Sequence, residues 1–176
     1  MASRINNLRD HQTLIEAFEI IRNTNQNIEL HIAGDGEGMD QLRERITGPT
    51  NGIFLHGNLS QFKLLDFLQS MDMYVHSTFA ETLSTSILQA MSVGLPVVVS
   101  RIPGTISMFE DEREGLFFES RNKEDLASKI IFLLENNSRR MEIGKMAREK
   151  CLSDYNSEKM FQQYKKLIFS LQKKKG

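Results

Sequence analysis

The chain has 176 residues, 40% of them hydrophobic and 26% charged, enough for one domain with a real core. A net charge of −1 gives no global field for nucleic acid, and a single cysteine, Cys151, excludes an intrachain disulfide framework and fits a reducing compartment. No apolar run approaches the roughly 20 residues of a membrane span, the opening MASRINNLRD has no hydrophobic signal region, and no internal repeat is present.

Residues 1–9 are polar and hold Arg4 and Arg9. Leu14, Ala17, Phe18 and Ile21 recur at helical spacing, which predicts a helix over Asp10–Thr24. A strand is expected over Ile28–Ala33, then the turn Gly34-Asp35-Gly36-Glu37-Gly38 and a helix over Met39–Ile46. Gly48–Gly52 reads as a loop, Ile53–His56 as a strand and Gly57-Asn58 as a turn. Ser60 caps a helix running to Ser70, and Met73–His76 is the next strand. A polar loop, Ser77–Glu81, leads into a helix over Leu83–Val93 with Leu83, Ile87, Ala90 and Met91 on one face. Gly94 and Pro96 stop that helix. Val97–Ser100 is an uninterrupted buried strand of the kind a parallel sheet wants. Arg101–Gly104 is a loop, Thr105–Phe109 a short helix, Glu110–Glu114 an acidic turn and Leu116–Phe118 a last strand. Helices over Lys123–Asn136, Ser138–Leu152 and Ser157–Gln172 close the chain. The last has an apolar face of Phe161, Tyr164, Leu167, Ile168 and Leu171, expected to pack on the domain or to extend toward a missing partner.

Alternating strands and helices imply an α/β fold, a doubly wound parallel sheet of Rossmann-like type. Ligands of such sheets bind outside the carboxyl ends of the strands. The loops there are Gly34–Gly38, His56–Leu59, Ser77–Ser86 and Ser100–Thr105, all rich in Gly, Ser or Thr. A doubly wound domain opens with a strand, yet only the barely apolar Met1–Ile5 stands before the first helix. The expectation is therefore a part of a longer protein.

Glu81, Thr82, Ser84, Thr85 and Ser86 put an acid and hydroxyls at a helix N-terminus. The cluster is either a plain N-cap or a phosphate site. Gly34–Gly38 lacks the G-x-G-x-x-G spacing and reads as a tight strand-to-helix turn, which disfavours a nicotinamide enzyme. His11, His31, His56 and His76 show no paired metal spacing, although His56 and His76 fall at strand ends; loop packing is the expectation for them. No D-x-D motif occurs. Cys151 has no nucleophile context and reads as buried in a helix. Lys165, Lys166, Lys173, Lys174 and Lys175 read as a solvated face, with contact to an anionic membrane as the alternative.

HSTFAETLSTSILQAMSVGLPVVVS resembles the signature of retaining, nucleotide-sugar-dependent glycosyltransferases of the GT-B fold, family four: an acid, seven residues, a second acid, Ala-Met, a small residue, then Gly-Leu-Pro-Val-Val. SRINNLRDHQTLIEAF, IELHIAGDG, FLHGNLSQFKLLDFLQSMDMYVHST and EDEREGLFFES agree with that family in order and spacing. The resemblance covers essentially the whole chain. It implies the C-terminal, donor-binding half of such an enzyme: residues 1–176 as one domain, with the N-terminal acceptor domain absent.

By that resemblance Arg4 and Arg9 hold the donor diphosphate, with Arg9 where many relatives have Lys. Glu81 is the catalytic acid that contacts the transferred sugar. Backbone N–H groups of Leu83 and Ser84 meet the phosphate. Gln89 stands where the second acid binds the ribose, so a neutral acceptor replaces a charged one. Thr82 replaces the usual Gly, and Ser107 stands where an acid often lies. Gly34, Gly57, Leu59 and Thr85 complete the donor-binding set from the neighbouring loops. The implied activity is sugar transfer with retention from a nucleoside-diphosphate sugar, with no metal and no further cofactor. The implied partners are that donor, the missing domain and a sugar or lipid-linked acceptor, in the cytoplasm or at the inner face of the membrane. A non-catalytic nucleotide-sugar-binding module is the alternative, which Gln89 and Thr82 leave open.

Overall fold

The computed structural model describes residues 1–46 and 52–173. Among these, helices and strands alternate as α1 (His11–Arg22), β1 (Leu30–Ile32), α2 (Met39–Ile46), β2 (Ile53–Leu55), α3 (Gln61–Gln69), β3 (Tyr74–His76), α4 (Thr85–Ser92), β4 (Val97–Arg101), β5 (Leu116–Glu119), α5 (Lys123–Glu135), α6 (Asn137–Asp154) and α7 (Ser157–Lys173). The loop expected at Gly48–Asn51 and the lysines Lys174 and Lys175 lie outside the described residues.

Every strand pair is parallel, as expected of this fold class. The strands form two sheets, β1-β2 and β3-β4-β5. Alternation along β4 shows why both faces need cover. Val98 joins a core with Leu14, Ile21, Leu126 and Phe118, while Val97 and Val99 join a second core with Ile87, Met91, Ala147 and Cys151. Successive strand side chains point to opposite faces, and α1 and α5 cover one face while α4 and α6 cover the other. Val97, Val98, Val99 and Phe118 are fully buried, each worth about 1.5–3 kcal/mol relative to exposure.

The element order opens with α1, as expected, yet the opening segment takes up backbone pairing without forming a named strand. Met1–Ile5 runs parallel to β1, with an Ala2–Ala33 bridge. Ser3 N–H donates to Ala33 O at 3.0 Å, Ala33 N–H to Met1 O at 2.9 Å, and Ile5 N–H to Asp35 O at 3.0 Å. The Tyr74 hydroxyl of β3 donates to Ala2 O at 2.8 Å, so this segment ties the two sheets together. Its pairing is carried by backbone, which a polar Ser3-Arg4 hides from a reading of apolar runs.

Two further expectations shift. The helix expected from Leu83 starts at Thr85, because Ser84 takes the N-cap position with its hydroxyl accepting from Ile87 N–H at 3.4 Å. Leu83 is consequently off the buried face and half exposed. The short helix expected at Thr105–Phe109 is a run of turns. There the Thr105 hydroxyl donates to Ser100 O at 2.6 Å and offers the backbone an alternative to helical bonding. The last helix, α7, extends: its residues from Ser157 to Leu171 are all exposed, including Phe161 and Tyr164 at about 60%.

Candidate functional site

After the opening segment the chain turns at Asn6, whose O accepts from Arg9 N–H at 3.0 Å. It then runs antiparallel beside the loop following β3, with Phe79 N–H donating to Leu8 O at 2.9 Å and Asp10 N–H to Ser77 O at 3.1 Å. This lays Arg9 against Glu81. The Arg9 guanidinium donates to Thr78 Oγ1 at 2.8 Å and Ala80 O at 3.3 Å, and lies 3.0 Å from Glu81 Oε2. Both side chains are mostly buried, at 17% and 11% exposure. The Arg9–Glu81 contact is an ion pair by distance, yet its angle leaves Oε2 without a hydrogen bond. Glu81 Oε1 accepts from Thr82 N–H at 3.2 Å. From the far side the 101–105 loop presses on Glu81: a Cβ on Gly104 would lie 1.6 Å from Glu81 O, so only glycine permits that approach.

Beneath Glu81 is His76, the last residue of β3 and wholly buried. Its Nε2 lies 3.4 Å from Glu81 Oε2. Its Nδ1 lies 3.3 Å from the Tyr74 hydroxyl, which gives its own proton to Ala2 O. From that pairing we assign the ring proton to Nδ1, toward Tyr74; Nε2 faces Glu81 Oε2 and makes no hydrogen bond in this geometry. Burial and the Arg9 charge push the His76 pKa well below the usual histidine range. Burial raises the Tyr74 phenol to about 12.

Arg4 does not join that cluster. It is 73% exposed, with Glu37 Oε2 at 3.9 Å. It lines a cavity of about 360 Å³ with Ser3, Gly34, Asp35, Asn58, Leu59 and Ser86 among others, at the carboxyl ends of β1 and β2 and the start of α4. Gly34, at φ +138°, is held where a Cβ would meet Ser3 O at 1.8 Å, and its N–H donates to Gly57 O at 2.7 Å. The Gly-Asp-Gly turn is thus shaped by the opening segment as well as by anything that binds in front of it.

The residues expected at the site are therefore distributed. Arg4, Gly34 and Leu59 share one cavity, Gly57 borders it through Gly34, and Arg9 and Glu81 form a neighbouring buried pair. Ser84 is buried and uses its hydroxyl to cap α4, with Ser86 Oγ 3.0 Å away. Leu83 and Thr85 are exposed at the helix start, and Gln89 is half-buried one turn on, its amide making no hydrogen bond among the described residues. Asn58, Ser86 and His76 fall outside the donor-binding set read from the sequence. His76 offered one signal, its place at a strand end. Among the described residues no group of His, Cys, Asp and Glu could hold a metal ion. His31 and His56 instead stack and share a hydrogen bond at 2.8 Å. Cys151 is buried in α6, as expected, its thiol near Leu88 O.

A cavity of about 390 Å³ also opens at the amino ends of the strands, lined chiefly by Leu14, Phe18, Ile21, Leu30, Met73 and Ile130. It lies opposite the crevice where ligands of parallel sheets bind.

Comparison with known proteins follows the same geometry. The family model described as Glycosyl transferases group 1 matches residues 1–150. An uncharacterized glycosyltransferase of Methanocaldococcus jannaschii is 29% identical over 161 residues, 89% of this chain and 41% of its own length. The chain thus spans about two-fifths of that relative. A crystal structure of TarM from S. aureus, a mutant in complex with fondaparinux, alpha-GlcNAc-glycerol and UDP, superposes with a TM-score of 0.87 at 27% identity, covering 94% of this chain and 34% of that one. The catalytic domain of cholesterol-alpha-glucosyltransferase from Helicobacter pylori superposes with a TM-score of 0.79 at 28% identity, covering 89% of this chain and 96% of that one.

Proposed function

The chain belongs to the glycosyl transferases group 1 family, and we propose that it is the half of a two-domain, family-four enzyme that binds a nucleoside-diphosphate sugar and transfers the sugar with retention. The observation that carries this reading is the convergence of Arg4, Gly34, Leu59 and Ser86 on one cavity, beside the Arg9–Glu81 pair. Breaking a sugar–phosphate bond leaves a diphosphate whose charge grows in the transition state. Arg4, Arg9 and the exposed backbone at Leu83 supply donors for it. The sugar becomes oxocarbenium-like, and Glu81 supplies a carboxylate. With cations and a helix N-terminus in those roles, this reading gives the reaction no metal.

The TarM complex contains UDP, which makes uridine diphosphate the first ligand to test. A second domain covering the cleft would supply the acceptor site, for a sugar or a lipid-linked acceptor at the cytoplasmic face of the membrane. The exposed apolar face of α7 supports contact with such a partner.

One residue favours the second reading, a non-catalytic nucleotide-sugar-binding module. Gln89, in the place of the second acid, brings no charge to the ribose. Sugar transfer by the full-length protein and its Glu81→Gln variant separates the two. The enzyme reading expects transfer to fall by about 10²–10³-fold while uridine diphosphate affinity changes little. Binding without any transfer by the unaltered protein would establish the module instead.

A further inference from the structure

We propose that His76 is a positioning residue for Glu81: when a diphosphate engages Arg9, His76 takes a proton from solvent and donates it from Nε2 to Glu81. The inference rests on the donor-site reading above and deepens it.

The contact between His76 and Glu81 is unsatisfied in a particular way. The Nε2 of a wholly buried imidazole faces Glu81 Oε2 at 3.4 Å, and neither atom has a hydrogen bond. Two electron-rich atoms at that distance repel each other unless a cation is near or a proton lies between them. The cation is Arg9, 3.0 Å from the same Oε2. Arg9 is also the side chain an incoming anion would draw on. A diphosphate there shares the guanidinium, weakens its hold on Glu81 and adds negative charge beside the imidazole. Each change favours a protonated His76.

The groups facing His76 act in opposite directions. Arg9 and burial disfavour the imidazolium, and Glu81 favours it. The Met1 amine also bears on it unfavourably. Burial holds that amine near 5, so it opposes little around pH 7 and more strongly toward pH 5, equally in the unaltered chain and in the variant compared below. Tyr74 keeps its proton on Ala2 O and goes on accepting from Nδ1–H. The protonated ring therefore has an acceptor at each nitrogen, Tyr74 on one side and Glu81 on the other. Glu81 is then held from below by His76 and at its backbone by the 101–105 loop, with Arg9 released to the phosphate.

The test follows the His76 Cε1–H resonance through a pH titration of the chain, with and without saturating uridine diphosphate, the signal assigned by correlation to its own backbone. The midpoint is expected to rise by roughly one unit when the ligand is bound. A bound ligand with an unmoved midpoint overturns the positioning role and leaves the donor-site reading standing; absence of any binding overturns both. A second measurement compares affinity for uridine diphosphate in the unaltered chain and in His76→Gln, where the amide can donate to Glu81 without titrating. The ratio is expected to grow about two- to fourfold in favour of histidine between pH 7.5 and pH 5. A ratio that stays flat overturns the proposal.

Discussion

Arg4 and Arg9 have the same expected role and opposite physical settings. Arg4 stands on a cavity wall, 73% exposed, with Glu37 3.9 Å away. Arg9 is 17% exposed and already engaged by Thr78, Ala80 and Glu81. A guanidinium in water loses little by turning to an anion. A buried one must be exchanged from one set of acceptors to another. On the donor-site reading proposed above, two cations matched to one motif would divide the work, Arg4 capturing the ligand and Arg9 coupling its arrival to the placement of Glu81.

The sharpest way to break this comparison is Arg9→Ala. Removing one partner of a mostly buried pair leaves Glu81 uncompensated, at a cost of about 3 kcal/mol. For a chain of this size that lowers the midpoint of thermal unfolding by about 10 °C. The same variant is expected to lose affinity for a nucleoside diphosphate far more than for the free nucleoside. Equal losses for both ligands, by calorimetry, would mean that Arg9 does not read phosphate.

Acid should unsettle both arginine-bearing segments, the opening one through the buried Met1 amine, held near 5, and the Arg9 side through His11. His11, two residues after Arg9 in the chain, is 8% exposed, and burial pushes its imidazole down to about 4. The unfolded chain binds that proton near pH 6.5. Between those values the unfolded state carries more protons, so the contribution is complete above about pH 6.5 and disappears as pH falls toward 4. It amounts to about 3 kcal/mol, and His76 acts in the same direction. Thermal midpoints measured from pH 7.5 to 4.5 should fall, and His11→Gln should flatten the slope. An unchanged slope in that variant would place the acid sensitivity elsewhere.

The smallest effect is Arg4→Ala. Stability should change by less than about 0.5 kcal/mol, as for exposed substitutions away from packing. Affinity for uridine diphosphate should drop about tenfold through loss of a charge-assisted bond. A large loss of stability would show that Arg4 is bound into the fold as firmly as Arg9 and would erase the contrast.

Much of the fold was legible because it is written in side-chain periodicity: Val97-Val98-Val99 is a run buried on both faces, and Ile87, Ala90 and Met91 recur at helical spacing. What was hidden depends on backbone or on partners distant in sequence. Met1–Ile5 pairs through its peptide groups around an isolated bridge, and the polar Ser3 and Arg4 among its apolar residues concealed that pairing. Leu83 fits the apolar stripe, but the Ser84 cap starts the helix beyond it. Thr105 spends its hydroxyl on carbonyls and breaks a short helix that spacing alone suggested. At the site, the polar loop before α4 and the Gly-rich turns stood out by type and position, while Arg4 and Arg9 were marked by the family resemblance. The pairing of Arg9 with Glu81, and the imidazole beneath them, needed the antiparallel contact at Thr78 that no local pattern announces.

The outward course of α7 has a hydrodynamic consequence. Its 17 residues form a rod of ~26 Å, joined at one end to a body of the 156 residues before Ser157, whose radius of gyration is ~15 Å if compact. Such an object does not tumble as a sphere. Rotation about the rod is faster than rotation end over end, so amide relaxation in α7 depends on the angle between each N–H vector and the long axis. Because helix N–H bonds lie nearly along that axis, α7 reports the slow rotation, while the strands, pointing in several directions, report a mixture.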